Sequence, residues 1–325
     1  MLEFLKKMSV VCFLGFFAIM VLFPVSLAGS PTTIVAAVFS SDLPRYRIAH
    51  RAFLRALASK GYDQKSVEIV TQVPNPDPIS WSNAVRKFNA IGADVMVTYG
   101  ASVTLVALQE SRDIPIVFVD VYAPLETGIA KSLATPGANA TGVSSRVPLV
   151  TLVKTAMEFK PFRQIGVLYS SREIGSLVQL KEMKRLAVQQ GFSVVEANVP
   201  TAAVLDNAMS ALFSQIDCLY LTEASVVNRQ MEKIIRRATE RKIPVISQIP
   251  ESGEKGALVS LEAHPAELGQ QAADYVVRVL SGKKSALMPI AAPRKVDLFI
   301  NVKTARHLDL HVPLQVLNLA TRVIK

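Results

Sequence analysis

Asp94-Val95-Met96-Val97-Thr98-Tyr99-Gly100-Ala101-Ser102-Val103 reads as a short buried strand that runs straight into a helix, and Asp217-Cys218-Leu219-Tyr220-Leu221-Thr222-Glu223-Ala224-Ser225-Val226 repeats it 123 positions later. Three further pairs keep the same order. Phe39-Ser40-Ser41 is matched by Tyr169-Ser170-Ser171, Gly61-Tyr62 by Gly191-Phe192, and Ile114-Pro115 by Ile243-Pro244, at offsets of 129 to 130. Four matches in register imply two similar units in one chain. Around them, short β-branched runs alternate with segments of helical spacing. The strand candidates are Thr33 to Phe39, Val67 to Val73, Val95 to Thr98, Ile116 to Val119, Ile165 to Tyr169, Val194 to Asn198, Cys218 to Leu221 and Val245 to Ser247. The helix candidates include Arg47 to Lys60, Trp81 to Ile91, Leu177 to Gln190 and Val227 to Arg241. Strand–helix alternation of this kind gives parallel sheets with helices on both faces. The expected fold is therefore α/β, with two doubly wound lobes.

Length and composition agree with that reading. The chain has 325 residues, half of them apolar and 19% charged, which suits two sizeable cores and excludes disorder as the main state. The net charge of +10 invites a nucleic-acid reading, but Arg51-Arg55, Lys181-Lys184-Arg185, Lys233-Arg236-Arg237 and Lys283-Lys284 are scattered over helix faces and form no patch.

The N-terminus explains part of the apolar content. Lys6 and Lys7 precede an uncharged run from Met8 to Ala28, followed around Pro24 by the small residues Ser26 and Ala28. This is the pattern of an export signal cleaved after Ala28. An uncleaved anchor is the competing reading, since 21 uncharged residues are enough to cross a bilayer. Cleavage would remove two lysines and one glutamate and leave 297 residues with a net charge of +9. Cys218 would then be the only cysteine, so the exported protein relies on its cores and has no internal disulfide. An export signal standing where a helix-turn-helix would be also excludes a transcription-factor effector domain.

Open parallel sheets bind ligands beyond the C-terminal ends of their strands, and two such lobes facing each other form a cleft that can close by a hinge. The loops at those ends supply the candidate residues. Ser41, Asp42, Ser102, Thr104 and Tyr122, the last in the loop Asp120 to Tyr122, come from the first unit. Ser171, Glu173, Glu223, Ser225 and Gln248 come from the second. Hydroxyls at helix starts, Ser102 and Ser225, suit a ligand carboxylate or serve as plain helix caps. Asp42, Glu173 and Glu223 suit an ammonium group, and Tyr46, Tyr99 and Tyr122 could offer a ring face. Glu262 stands at an expected crossover, where a hinge hydrogen bond competes with a ligand contact. No nucleophile elbow, dinucleotide fingerprint or Walker loop is present, and His307 and His311 have no further ligand nearby. A non-enzymatic protein without cofactor or metal is expected.

An ordered set of motifs then points to a family. Ile114-Pro115-Ile116-Val117-Phe118, Thr135-Pro136-Gly137-Ala138-Asn139-Ala140-Thr141-Gly142-Val143-Ser144, Gln164-Ile165-Gly166-Val167-Leu168-Tyr169, Gly256-Ala257-Leu258 and Leu268-Gly269-Gln270-Gln271-Ala272-Ala273 together resemble the ABC-transporter substrate-binding proteins of the tryptophan/tyrosine-binding type. Asp297 to Ala305 resembles their closing strand and helix. The resemblance spans residues 32 to 315 and implies a type I periplasmic-binding fold whose lobes are joined by a three-strand hinge, with crossings near Gly142, Leu261 and Pro293. It divides the chain into an N-terminal lobe of residues 29–142 plus about 262–293, and a C-terminal lobe of 143–261 plus about 294–325. It further implies an extracytoplasmic, monomeric receptor that closes over a small amino-acid-like ligand, aromatic amino acids included, and serves an ABC permease. A membrane-anchored sensor or adaptor is the alternative if residues 1–28 are retained. The sequence departs from the family pattern at Ser170-Ser171-Arg172-Glu173 and at Thr222-Glu223-Ala224-Ser225, both expected in the cleft.

Overall fold

The computed structural model describes residues 33–63 and 65–325; the expected export signal lies outside them. The first run of elements is Thr33–Phe39 (β1), Pro44–Ser59 (α1), Val67–Gln72 (β2), Pro78–Ala90 (α2), Val95–Tyr99 (β3), Ala101–Glu110 (α3), Ile116–Val121 (β4) and Ala140–Ser144 (β5). Its strands form one parallel sheet in the order β2-β1-β3-β4-β5.

The second run is Leu149–Met157 (α4), Gln164–Tyr169 (β6), Ile174–Gln190 (α5), Ser193–Asn198 (β7), Leu205–Phe213 (α6), Cys218–Leu221 (β8), Ser225–Arg229 (α7), Met231–Glu240 (α8), Val245–Ser247 (β9) and Val259–Ala263 (β10). Pro265–Leu280 (α9) follows, and then Val296–Asn301 (β11), Val302–His307 (α10), Leu314–Leu319 (α11) and Arg322–Ile324 (β12). The second sheet runs β12-β11-β10-β9-β8-β6-β7. The protein is thus an α/β molecule of two doubly wound lobes.

Two details differ from the sequence reading. The second sheet is not wholly parallel, because β10 and β11 pair antiparallel, Leu261 opposite Leu298. The helix expected from Val227 to Arg241 is broken at Gln230 into α7 and α8. Both breaks lie beside the cleft.

The local chemistry accounts for most boundaries. Pro44 and Pro78 occupy first helical turns, where their missing N–H costs nothing, and Asp77 caps α2 by accepting from Ser80 N at 2.9 Å. The central strands β3, β4 and β8 are buried on both faces, as runs such as Val-Met-Val-Thr-Tyr and Cys-Leu-Tyr-Leu require. Cys218 is fully buried in β8, where burial pushes its thiol pKa up, so it acts as a small hydrophobe.

The chain leaves the second sheet after β10, and α9 packs along α1 and against β4 and β5 of the first. Gly269 sits against the Ala49 carbonyl, where any Cβ would overlap it, so the two helices touch backbone to backbone. The chain then returns past Ala291, which bridges to Val143, into β11.

Candidate functional site

The C-terminal ends of the two sheets meet, and three contacts join the facing rims. Ser41 Oγ and Ser225 Oγ lie 3.0 Å apart, Tyr122 Oη donates to Glu182 Oε2 at 2.8 Å, and Arg45 Nη1 stands 3.5 Å from Glu223 Oε2. Each pair has one partner after a strand or on α1 of the first sheet and one on the second. The cleft is closed.

Its floor is a small cavity of about 10 Å³, lined among others by Arg45, Asp120, Tyr122, Ser145, Gln179, Glu223 and Gln248. Arg45 comes from the first turn of α1, and only 6% of its side chain is exposed. Its guanidinium lies over the Tyr46 ring, 4.6 Å from the centroid, and donates to Tyr46 Oη at 2.8 Å. Asp120 interrupts β4 at a register shift and takes a positive φ of 57°, which turns its carboxylate into the cleft. Arg45 Nε and Asp120 Oδ2 face each other at 3.5 Å, too far for a hydrogen bond, and both are buried without a hydrogen-bond partner; Ser145 Oγ is the same. Buried polar atoms are almost always hydrogen-bonded, so the loose ion pair of Arg45 Nε and Asp120 Oδ2 and the unpartnered Ser145 hydroxyl, all on residues that line one cavity, mark a place built to meet something polar.

Charge in the cleft is unbalanced. Burial raises the Glu223 pKa to about 7 against the pull of Arg45, and Asp120 and Glu173 push the same way as burial. Burial opposes the charge on Arg45, but Asp120, Tyr46 and Glu223 outweigh it and hold the guanidinium protonated. Tyr122 is likewise pushed up by burial and by Glu182.

The expected site residues separate into those that face the cavity and those that do not. Tyr122, Glu223 and Gln248 line it. Gln248 is fully engaged, accepting from Tyr220 Oη and donating to Val147 O, both at 2.9 Å, so it braces the wall. Ser41 and Ser225 join the rims. The anion site expected at Ser225 is already filled by the protein: Glu173 accepts from Ser225 N and Oγ at 2.8 to 3.0 Å. Ser102 and Ser225 also lie inside the first turns of α3 and α7 instead of preceding them, the caps being Gly100 and Ala224.

Thr104 is buried against Thr98 and the Gly100 carbonyl and faces no ligand space. Asp42 turns outward into an exposed pair with Arg47, which lowers its pKa. Ser171 is exposed and paired with Asn198. Glu262 accepts from Glu251 N, Ser252 Oγ, Gly253 N and Ser260 Oγ at 2.7 to 3.1 Å, which ties the 251–253 turn to β10 next to a crossing. Tyr99 packs in the first lobe, bonded to His50 Nδ1 at 2.9 Å.

Arg45, Gln179 and Glu182 were not legible as site residues. Each sits on a helix among other polar residues, and only the packing of two lobes distinguishes it. Gln179 Oε1 accepts from Glu223 N at 2.7 Å and so sets the height of that carboxylate.

Known proteins share this architecture. The model of the family described as ABC transporter substrate binding protein matches residues 35–324. A protein named tyrosine-binding protein, from Clostridioides difficile strain R20291, is 28% identical over 264 residues, covering 81% of this chain and 76% of its own. The structure of an ABC domain from Streptococcus pneumonia in complex with L-Trp overlays with a TM-score of 0.84 at 24% identity, over 90% of this chain and all of that one. A ligand-free, open substrate-binding protein with adhesive properties from Clostridium difficile overlays at 0.69 with 27% identity, over 90% of this chain and 99% of that one. The chain belongs to the ABC transporter substrate-binding protein family.

Proposed function

We propose that this member of the family is an extracytoplasmic receptor that closes its lobes over one small amino acid, with aromatic amino acids the first candidates, and presents it to a membrane permease. The observation that carries the reading is the orphaned set Arg45 Nε, Asp120 Oδ2 and Ser145 Oγ in the closed cleft. A free amino acid has one carboxylate and one ammonium on the same carbon. The guanidinium and the Ser145 hydroxyl suit the carboxylate, and Asp120 with Glu223 suits the ammonium, as charge-assisted hydrogen bonds. Nothing in the cavity pairs a nucleophile with a base, so the arrangement supports binding without chemistry.

The names of the relatives, one tyrosine-binding and one crystallised with L-Trp, support an aromatic ligand for this chain. A ring of that size requires the cleft to open and close again around it, because the closed cavity is small. Thermal-shift measurements on the exported chain against the twenty amino acids and related solutes test the reading. One or a few amino acids are expected to raise the melting temperature as mass action requires, and Arg45→Ala is expected to abolish the response. The absence of a shift with every amino acid overturns it. Uptake of the responding amino acid is expected to fall in cells that lack the protein.

A further inference from the structure

The cleft holds more negative charge than one guanidinium can balance. Arg45 of α1 faces Asp120 and Glu223, and Glu173 lies behind Ser225 on the same rim. Every charged or titratable group around Glu223 can be assigned. From α1 come Arg45 and the Tyr46 hydroxyl, which is already bonded to Arg45. From β4 and the residue after it come Asp120 and Tyr122, the latter bonded to Glu182 of α5, which also accepts from Arg146. From its own sheet come Glu173, fully occupied by Ser225, and Tyr220, occupied by Gln248. Among the described residues Glu223 has only Arg45 within ion-pair distance, at 3.5 Å, and its carboxyl is pressed onto Gly175, where a Cβ would overlap Oε1. It therefore cannot retreat toward the helix or find a second cation among the described residues.

We propose that Glu223 is a specificity residue that gives up a proton to solvent when the ligand binds: it is protonated in the ligand-free closed cleft, and a ligand ammonium seated beside Asp120 displaces that proton. The proposal rests on the amino-acid reading above. The O–H bond of the Glu223 carboxyl breaks, the proton passes to buffer, and the carboxylate pairs with the incoming ammonium. Burial and the neighbouring carboxylates Asp120 and Glu173 place the exchange in the neutral range.

Such a cleft distinguishes ligands by their amine. L-tryptophan keeps the same charges between pH 5.5 and 8, so any pH dependence in that window belongs to the protein. Its affinity is expected to rise about tenfold or more across the window, because only the ionised carboxylate pairs with the ammonium. Indole-3-propionate, which has the carboxylate without the amine, is expected to show no rise.

Titration calorimetry of the exported chain with L-tryptophan, L-tyrosine and indole-3-propionate tests this, at pH 5.5, 7 and 8 in two buffers of different ionisation enthalpy. Wild type is expected to release a fraction of one proton per amino acid bound near pH 6.5. Glu223→Gln is expected to release none, and to bind at every pH with the affinity wild type shows at pH 5.5. Amino-acid binding with no proton release by wild type, or equal pH dependence in wild type and variant, overturns the proposal and leaves the amino-acid reading intact. The proton count of the wild-type protein decides the matter even if the variant does not fold. Absence of binding by either amino acid at any pH overturns the proposal together with the aromatic assignment, and the thermal-shift series over all twenty amino acids then decides the amino-acid reading.

Discussion

The first turn of α1 and the first turn of α5 occupy the same place in the two lobes, and they carry opposite solutions. Position 45 is an arginine and its counterpart at the 130-residue offset, position 175, is a glycine. After the third strand of each lobe the sizes are reversed: Gly100 stands where the other lobe has Glu223. A Cβ at Gly100 would overlap Tyr46 Oη, and a Cβ at Gly175 would overlap Glu223 Oε1. Each glycine therefore makes room for the polar group next to it. In the first lobe Tyr46 and Tyr99 tilt together at 6.4 Å; in the second the equivalent pair, Ser176 and Thr222, shares a hydrogen bond of 2.7 Å. The repeat supplies two similar frames, and the departures from it supply a cation on one side of the cleft and a carboxylate on the other.

Removing the cation should break this arrangement most severely. Arg45→Ala leaves Asp120 buried with no counter-charge, and the loss of one partner from a buried pair costs about 3–5 kcal/mol. Ligand affinity is expected to fall more than a hundredfold, and small-angle scattering to show a more open molecule. Arg45→Met combined with Glu223→Gln should recover part of the closure, a coupling that a double-mutant cycle would measure.

The two glycines offer a sharper contrast, because one substitution should act on different properties in the two lobes. Gly100 has a φ of +92°, so Gly100→Ala is strained by about 1–3 kcal/mol in addition to the overlap with Tyr46. Its melting temperature should drop. Gly175 has no such backbone demand, so Gly175→Ala should keep most of the stability and displace the Glu223 carboxylate. Affinity for the amino acid should fall about tenfold, close to 1.4 kcal/mol.

Acid distinguishes the lobes as well. Burial lowers His50 of α1 to a pKa of about 4. Between pH 4 and 6.5 the unfolded chain therefore holds more protons at His50 than the folded one does, and stability rises with pH. Glu223, raised to about 7, holds its proton longer in the folded chain, so between its ordinary value and pH 7 stability falls as pH rises. The two trends oppose each other, each about 2 kcal/mol between pH 5 and 7. Glu223→Gln should expose the rising trend and His50→Gln the falling one, as read from denaturant midpoints. The smallest effect is expected outside the cleft: Asp42→Asn, in an exposed pair with Arg47, should leave stability and affinity unchanged within error.

The frame was legible in the sequence because periodicity and repeats are local. Strand runs such as Val95 to Thr98 and Cys218 to Leu221 needed no partner to be read. Cleft residues at strand ends, Tyr122, Glu223 and Gln248, followed from the rule that ligands bind there. Arg45 did not. It follows Pro44 and precedes Arg47, Arg51 and Arg55, so in the sequence it looks like one more cation on a solvated helix face; burial comes from the opposite lobe and from α9. The anion site at Ser225 failed for the same reason, since Glu173, 52 residues earlier, fills it.

The packing of Gly269 on Ala49 also constrains how the protein is made. The first lobe lacks the helix that covers α1 until residue 280 has been synthesised, long after its own sheet ends at Ser144. A chain emerging from its N-terminus therefore carries an unfinished first lobe while the whole second sheet up to β10 is produced. For a protein expected to leave the cytoplasm unfolded, this topology defers the first stable lobe to the last quarter of the chain.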